Sequence, residues 1–233
     1  MIQDKSFLVL IPARGGSKGI KFKNIRKVIG NKTLLDLSYS FAKKCKFVDK
    51  IIVSTDHKKI VRECVKNNYE YIIRPKSLSK DYVSAYRVME NVIKKMKKEY
   101  DYLIYLEPTS PFRKISDLKK SCTGIIKTNA DSCWSVNKVS TKYHPKKLFI
   151  NSRGNLKLYE TKGEKIIARQ QLNEVFQRNG IFYIFNINKL VVQKKIYLKK
   201  TIFHVIDYPY INIDTLDDLK KTKKLSKKFK FYG

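Results

Sequence analysis

Apolar residues in this chain follow two alternating rhythms. Ser6 to Ile11, Lys50 to Ser54, Tyr71 to Ile73 and Tyr102 to Leu106 carry short continuous apolar runs, the pattern of strands buried on both faces. Between them, apolar positions recur every three or four residues: Leu34, Leu37, Phe41 and Cys45; Ile60, Val61, Cys64 and Val65; Val83, Tyr86, Met89, Ile93 and Met96; Leu118, Cys122 and Ile125. That spacing puts one apolar stripe on each of four helices. Strand and helix in alternation predict an α/β fold with a mostly parallel central sheet, because each parallel crossover needs a connecting helix. Thr55-Asp56 and Ser116 are expected to cap two of the helices, and Asp81 and Ser84 to open a third.

After one more strand, Asp131 to Asn137, the rhythm changes. Residues 141–178 hold no long helical period. Leu148 to Ile150 and Leu156 to Tyr159 flank Asn151-Ser152-Arg153-Gly154-Asn155, which predicts a hairpin turn. This stretch reads as a β arm inserted into one domain spanning 1–233. The sheet pattern resumes at Ile181 to Phe185 and Thr201 to Ile206. Thr215 and Asp218 then form a capping pair for a last helix through Leu219 and Leu225.

Composition narrows the class. Of 233 residues, 42% are hydrophobic and 12% aromatic, which excludes a disordered chain. With 51 Lys+Arg against 20 Asp+Glu the formal charge is +31, the electrostatic footprint of a nucleic-acid binder. Only 9 of those cations are Arg, whereas base-edge recognition leans on the guanidinium, and the lysines are spread along the chain. Solvated lysine faces are the leading reading; a basic nucleic-acid-binding protein is the alternative. Cys45, Cys64, Cys122 and Cys133 are too far apart for a metal or redox pair and read as reduced core thiols. The apolar run Phe7 to Ile11 is too short for a signal segment, and no stretch approaches a membrane span. The expectation is a cytoplasmic protein with neither a membrane nor a nucleic-acid partner.

Candidate chemistry follows from the strand ends, since ligands of open α/β sheets bind beyond the carboxyl ends of the strands. The first strand runs into Pro12-Ala13-Arg14-Gly15-Gly16-Ser17-Lys18-Gly19. Glycines let backbone N–H groups approach phosphate oxygens, and Arg14 and Lys18 add positive charge. No glycine stands six residues before Lys18, so this is not a Walker A loop, and Arg14 displaces the first glycine of a dinucleotide fingerprint. A turn with two structural glycines is the other reading. Lys23, Asn24, Arg74, Asp81 and Ser84 fall after successive strands on the same rim. Several cations at one edge suit a polyphosphate, whose transfer chemistry depends on positioning and charge stabilisation. Asn212 and Asp214 are two residues apart in an extended segment and share one side of it. Such a pair suits Mg²⁺, which takes one or two protein oxygens besides phosphates and waters; the alternative is that Asp214 only caps the last helix. His57, His144 and His204 have neither metal-ligand spacing nor a nucleophile partner, which argues against a hydrolytic triad.

Seven segments carry a resemblance: IPARGGSKGIKFKN at 11–24, IIVSTD at 51–56, RPKSLSKD at 74–81, EPTSPFR at 107–113, ARQQL at 168–172, RNGIFYI at 178–184 and INIDTLDDL at 211–219. In colinear order they resemble the CMP-sialic acid synthetases, the N-acylneuraminate cytidylyltransferases. The resemblance implies a Rossmann-like nucleotidyltransferase fold and a homodimer in which 141–178 is the dimerisation arm. It also implies N-acylneuraminate cytidylyltransferase activity: Mg²⁺-dependent attack by the anomeric hydroxyl of a sialic-acid-like nonulosonic acid on the α-phosphate of CTP, giving a CMP-sugar and pyrophosphate. By matching position, Arg14, Gly15, Gly16, Ser17 and Lys18 would hold the triphosphate, and Lys23, Asn24, Arg74, Asp81 and Ser84 would serve the nucleotide pocket. Arg169 and Lys18 would act in catalysis. Glu107, Arg169, Gln170, Asn179, Tyr183 and Tyr197 would line the sugar site, and Asp214 and Asn212 would hold the metal. The chain departs from the family at two of these positions. Asn212 replaces an aspartate, bringing an oxygen but no charge. Glu107 replaces a glutamine that can donate hydrogen bonds, which a carboxylate cannot. The second departure points toward a related acid such as legionaminic acid; an eight-carbon Kdo acceptor is a further alternative.

Overall fold

The computed structural model describes residues 2–16 and 19–229. Its contacts divide the chain into two units, Met1–Ser135 with Asn179–Gly233, and Val136–Arg178. In chain order the elements are β1 (Phe7–Pro12), β2 (Lys27–Ile29), β3 (Lys32–Thr33), α1 (Leu34–Lys44), β4 (Lys50–Thr55), α2 (Lys58–Lys66), β5 (Tyr71–Ile73), α3 (Ala85–Lys95), β6 (Tyr102–Tyr105) and α4 (Ile115–Lys127). They continue with β7 (Ser132–Lys138), β8 (Phe149–Ser152), β9 (Asn155–Leu158), β10 (Phe176–Asn186), α5 (Ile187–Gln193), β11 (Thr201–Val205) and α6 (Leu216–Ser226).

The central sheet has seven strands in the order β11-β7-β10-β6-β1-β4-β5. β1 lies parallel to β4 and to β6, and β4 parallel to β5, whereas β10 runs antiparallel to β6. The mostly parallel sheet expected from the alternating rhythm is therefore present, with its carboxyl ends on one edge. Phe7 to Ile11 are buried without interruption, as a strand covered by helices on both faces requires. Leu35 and Phe41 of α1, Ile60 and Cys64 of α2, and Leu118, Cys122 and Ile125 of α4 share one core with Phe7, Val9 and Ile11. All four cysteines are free and buried. Burial pushes the Cys45, Cys64 and Cys133 thiols up to about 12 and raises Cys122 as well, because a thiolate loses its hydration there.

Capping was legible only in part. Thr215 accepts from the Asp218 amide, and Asp218 accepts from the Thr215 amide at 2.8 Å, the reciprocal box read from the sequence. The expected Thr55-Asp56 cap of α2 is corrected: His57 is the N-cap, its ring nitrogen accepting from the Lys59 amide at 3.1 Å. Asp56 instead accepts from the Gly15 amide in the loop after β1. Ser116 lies inside α4, which starts after Lys114 without a side-chain cap, whereas Ser84 opens α3 from the N-cap position, as expected, but makes no side-chain cap bond.

In the unit Val136–Arg178, β8 and β9 pair antiparallel from Phe149↔Leu158 to Ser152↔Asn155. Arg153 and Gly154 link them at φ 54° and 86°. Two successive positive φ values are what a tight two-residue hairpin turn demands. Leu156 is 76% exposed and Ile167 94%, so this unit builds little core of its own. Among the described residues, no helix is long and apolar enough to cross a membrane.

Candidate active site

Parallel pairing of β5, β4, β1 and β6 delivers their following loops to one edge, where those after β5, β1 and β6 bound a cleft of about 590 Å³. Arg74 comes from the β5 end, Arg14 from the β1 end and Glu107 from the β6 end. Lys23, Asn24, Asp81 and Asp214 complete the polar wall, with Tyr105 and Val88 as apolar floor.

The wall is cross-linked. Arg14 pairs with Asp81 at 2.8 Å, and its carbonyl accepts from buried Asn24 at 3.2 Å. The Lys23 ammonium reaches the Asp214 carboxylate at 2.7 Å and the Ile213 carbonyl at 2.6 Å. Asp56 accepts from the Gly15 amide at 3.0 Å and so ties the glycine loop to the end of β4. Gly15 and Gly19 are steric necessities. A Cβ on Gly15 would stand 2.6 Å from the His57 ring, and one on Gly19 would strike the Asp214 backbone oxygen. A Cβ on Gly16 meets nothing within 4 Å.

Arg74 is 5% exposed, and burial lowers its pKa, with Asp56 opposing that effect. Its Nε has no hydrogen-bond partner among the described residues. A buried cation in a cleft wall is costly unless an anion compensates it. Tyr105 is the reverse case, raised by burial first and by Glu107 second, so its phenol stays neutral.

The cleft thus gathers Arg14, Lys23, Asn24, Arg74, Asp81, Glu107 and Asp214 from the residues the sequence singled out. Ser17 and Lys18 lie outside the described residues. Ser84 sits between the lining residues Val83 and Ala85 and is not itself part of the lining, and Asn212 is exposed and likewise outside the lining. Arg169 and Gln170 belong to the unit Val136–Arg178, in a second cavity of about 440 Å³ beside His144, Lys138 and Glu174. Asn179 is buried, its side-chain oxygen accepting from Ser135 at 2.6 Å and from the Ile181 amide at 3.1 Å. The Tyr183 hydroxyl accepts from the Gly180 amide at 2.8 Å. Tyr197 is largely exposed and stacks on Trp134 with centroids 5.0 Å apart.

Two polar residues that brace the cleft are not evident from local sequence. Asp56 reads as a helix cap, whereas its bond to Gly15 spans 41 positions. Arg113 lies in the EPTSPFR segment and is wholly buried, bonding to three separate segments. Next to Lys114 it reads locally as one of a surface basic pair, so the sequence carries no signal of its burial.

Parallel strands with cationic loops at their carboxyl edge make an α/β fold suited to a phosphate-bearing ligand. A CMP:2-keto-3-deoxy-manno-octonic acid synthetase complexed with CTP superposes with a TM-score of 0.73 at 16% identity, covering 96% of this chain and 99% of that one. A 4-diphosphocytidyl-2C-methyl-D-erythritol synthase from Anaerococcus prevotii gives 0.65 at 12%, covering 97% and 98%. The family model described as Cytidylyltransferase matches residues 8–232, and the chain belongs to that family. Among curated relatives, a CMP-N,N'-diacetyllegionaminic acid synthase of Legionella pneumophila is 30% identical over 225 residues, 94% of this chain and 95% of that protein. A pseudaminic acid cytidylyltransferase of Campylobacter jejuni is 27% identical over 226 residues, 94% and 96%. An N-acylneuraminate cytidylyltransferase of Streptococcus agalactiae is 25% identical over 214 residues, 91% of this chain and 51% of that protein.

Proposed function

We propose that this cytidylyltransferase moves CMP from CTP to the anomeric hydroxyl of a nonulosonic acid. The hydroxyl oxygen bonds to the α-phosphorus, the bond to the β-phosphate oxygen breaks, the hydroxyl proton is lost and pyrophosphate leaves. The observation that carries this reading is buried Arg74, with Arg14 and Lys23 on the same cleft wall. Fixed cations of this kind stabilise charge that spreads over phosphate oxygens in the transition state. The glycine loop held by Asp56 is suited to present Arg14 and backbone N–H groups to the triphosphate. The relatives that act on pseudaminic and legionaminic acids, together with the carboxylate at Glu107, favour an acceptor of that type over N-acetylneuraminic acid.

A Mg²⁺ requirement fits the donor set. Among the described residues no three metal-ligating side chains cluster, so the ion would draw most ligands from phosphates and water, as Mg²⁺ commonly does. Asp214, a carboxylate on the cleft wall, is the residue that would hold it. When bound, Mg²⁺ would neutralise charge on the phosphates. Lys23 would share or release Asp214 at that point. Asn212 would contribute at most a carbonyl oxygen from outside the cleft lining.

Homodimerisation through the arm is part of the same proposal, supported by exposed Phe149, Ile150, Leu156 and Tyr159. Reduced, buried thiols and a CTP substrate suit the cytoplasm. The test is pyrophosphate release with CTP, Mg²⁺ and a panel of neuraminic, legionaminic, pseudaminic and Kdo acceptors, with and without EDTA. Turnover requires both substrates and stops with EDTA. No turnover with any acid, combined with salt-sensitive binding of DNA or RNA, would instead favour a nucleic-acid-binding role for the +31 charge.

A further inference from the structure

The loop after β6 carries Glu107 into the cleft and ends at Arg113, the bulkiest of the fully buried side chains. The Arg113 guanidinium donates from Nη2 to the Glu107 carbonyl, from Nε to the Ile181 carbonyl at 2.7 Å, and from Nη1 to the Ser38 hydroxyl at 3.2 Å. One planar group therefore joins the loop, strand β10 and helix α1. The Ser110 amide also donates to the Glu107 carbonyl, at 3.0 Å, and the Ser110 hydroxyl to the Asn179 carbonyl at 2.9 Å. The Thr109 carbonyl accepts from the Ile213 amide at 2.9 Å, next to Asp214. Glu107 is thus gripped by its backbone from two donors, and its carboxylate lies so close to Gly180 that a Cβ there would stand 2.5 Å from Oε2.

Sheet order places this assembly. Arg74 follows β5, Arg14 follows β1, Glu107 follows β6, and Gly180 lies in β10. Glu107 and Gly180 follow or lie in the two strands on the side of β1 away from Arg74. With the triphosphate on the cations, the acceptor falls at the Glu107 end. We infer that Arg113 is the positioning residue of the acceptor half of the site: its three directional bonds set the Glu107 carboxylate against Gly180 and so fix which acid is received. This rests on the proposed transfer reaction. A lysine preserves the buried charge but cannot reproduce a planar fork with three directed donors.

The experiment measures CTP affinity by calorimetry and acceptor KM by pyrophosphate release, in the unsubstituted protein, Arg113→Lys, Glu107→Gln and the double variant. Arg113→Lys should raise acceptor KM at least about tenfold, since small misplacements of a binding group cost this much or more, while CTP affinity changes less than about threefold. The double variant should be no worse than the worse single one, because both act through one carboxylate. Equal losses for CTP and acceptor, or additive effects in the double variant, would mean that Arg113 is only structural. If Arg113→Lys does not fold, Ser38→Ala removes one of the three bonds; a smaller rise confined to acceptor KM supports the inference, and an unchanged KM overturns it. An unsubstituted protein inactive with every acid overturns the transfer reaction itself, and this inference with it.

Discussion

The cleft and the arm invert the usual distribution of side chains in opposite directions. Around the cleft, polar groups are buried: Arg74 and Asn24 are each 5% exposed and Arg113 is fully covered. In the unit Val136–Arg178, apolar groups are exposed, Ile167 and Leu156 most of all. Buried polar groups and exposed apolar patches are the informative departures from ordinary globular burial. A buried cation suits an anion, and exposed apolar side chains suit another protein surface. The comparison teaches that the two regions are built for different kinds of contact, and the proposed function gives a nucleotide to one and a second copy of the chain to the other.

Removing the buried cation should produce the largest effect. Arg74→Ala is expected to lower kcat/KM for CTP by about a hundredfold, the scale of losing one preorganised charge-stabilising group. Its thermal stability should change little, since a buried charge is costly to keep. Steady-state kinetics alongside calorimetric melting checks both. Preserved kinetics would break the contrast by making Arg74 an ordinary structural residue.

On the arm, Phe149→Asp combined with Leu156→Asp should convert a dimer into a monomer in sedimentation experiments while the central sheet keeps its circular dichroism. Turnover should fall by about tenfold or more if the neighbour's arm completes the site. A monomeric unsubstituted protein would remove the arm's side of the comparison.

A subtler effect comes from the core thiols. Burial raises Cys45, Cys64 and Cys133 to about 12 from an ordinary value of 9.0. In this window the folded state retains protons that the unfolded state releases, so stability falls with rising pH. The contribution is whole below pH 9.0 and declines as pH climbs toward about 12. Denaturant melts at pH 8 and pH 10 should show it, and Ellman's reagent should label these thiols slowly until the protein unfolds.

The smallest effect belongs to the hairpin. Gly154→Ala places a side chain at φ 86° and should cost about 1–2 kcal/mol of local hairpin stability. Amide exchange in β8 and β9 would rise while that of β1 and β4 stays fixed, which sharpens the separation between the two units.

Much of this protein was legible from local sequence. Seven short apolar runs and five helical stripes had the right periods, because burial on one or both faces imprints period 2, period 3.6 or a continuous run on neighbouring residues. The Thr215/Asp218 box and the Arg153-Gly154 turn were legible for the same reason: their partners lie within three positions. The cationic loops could be assigned to one rim because parallel topology alone puts successive loops on one edge. What only the tertiary structure decided were the bonds across long separations. Lys23 meets Asp214 across 191 positions, Asp56 meets Gly15 across 41, and Arg113 meets Ser38 across 75. No local period encodes such pairs. They depend on which strands become neighbours in the sheet, and that order is set by packing the whole core at once.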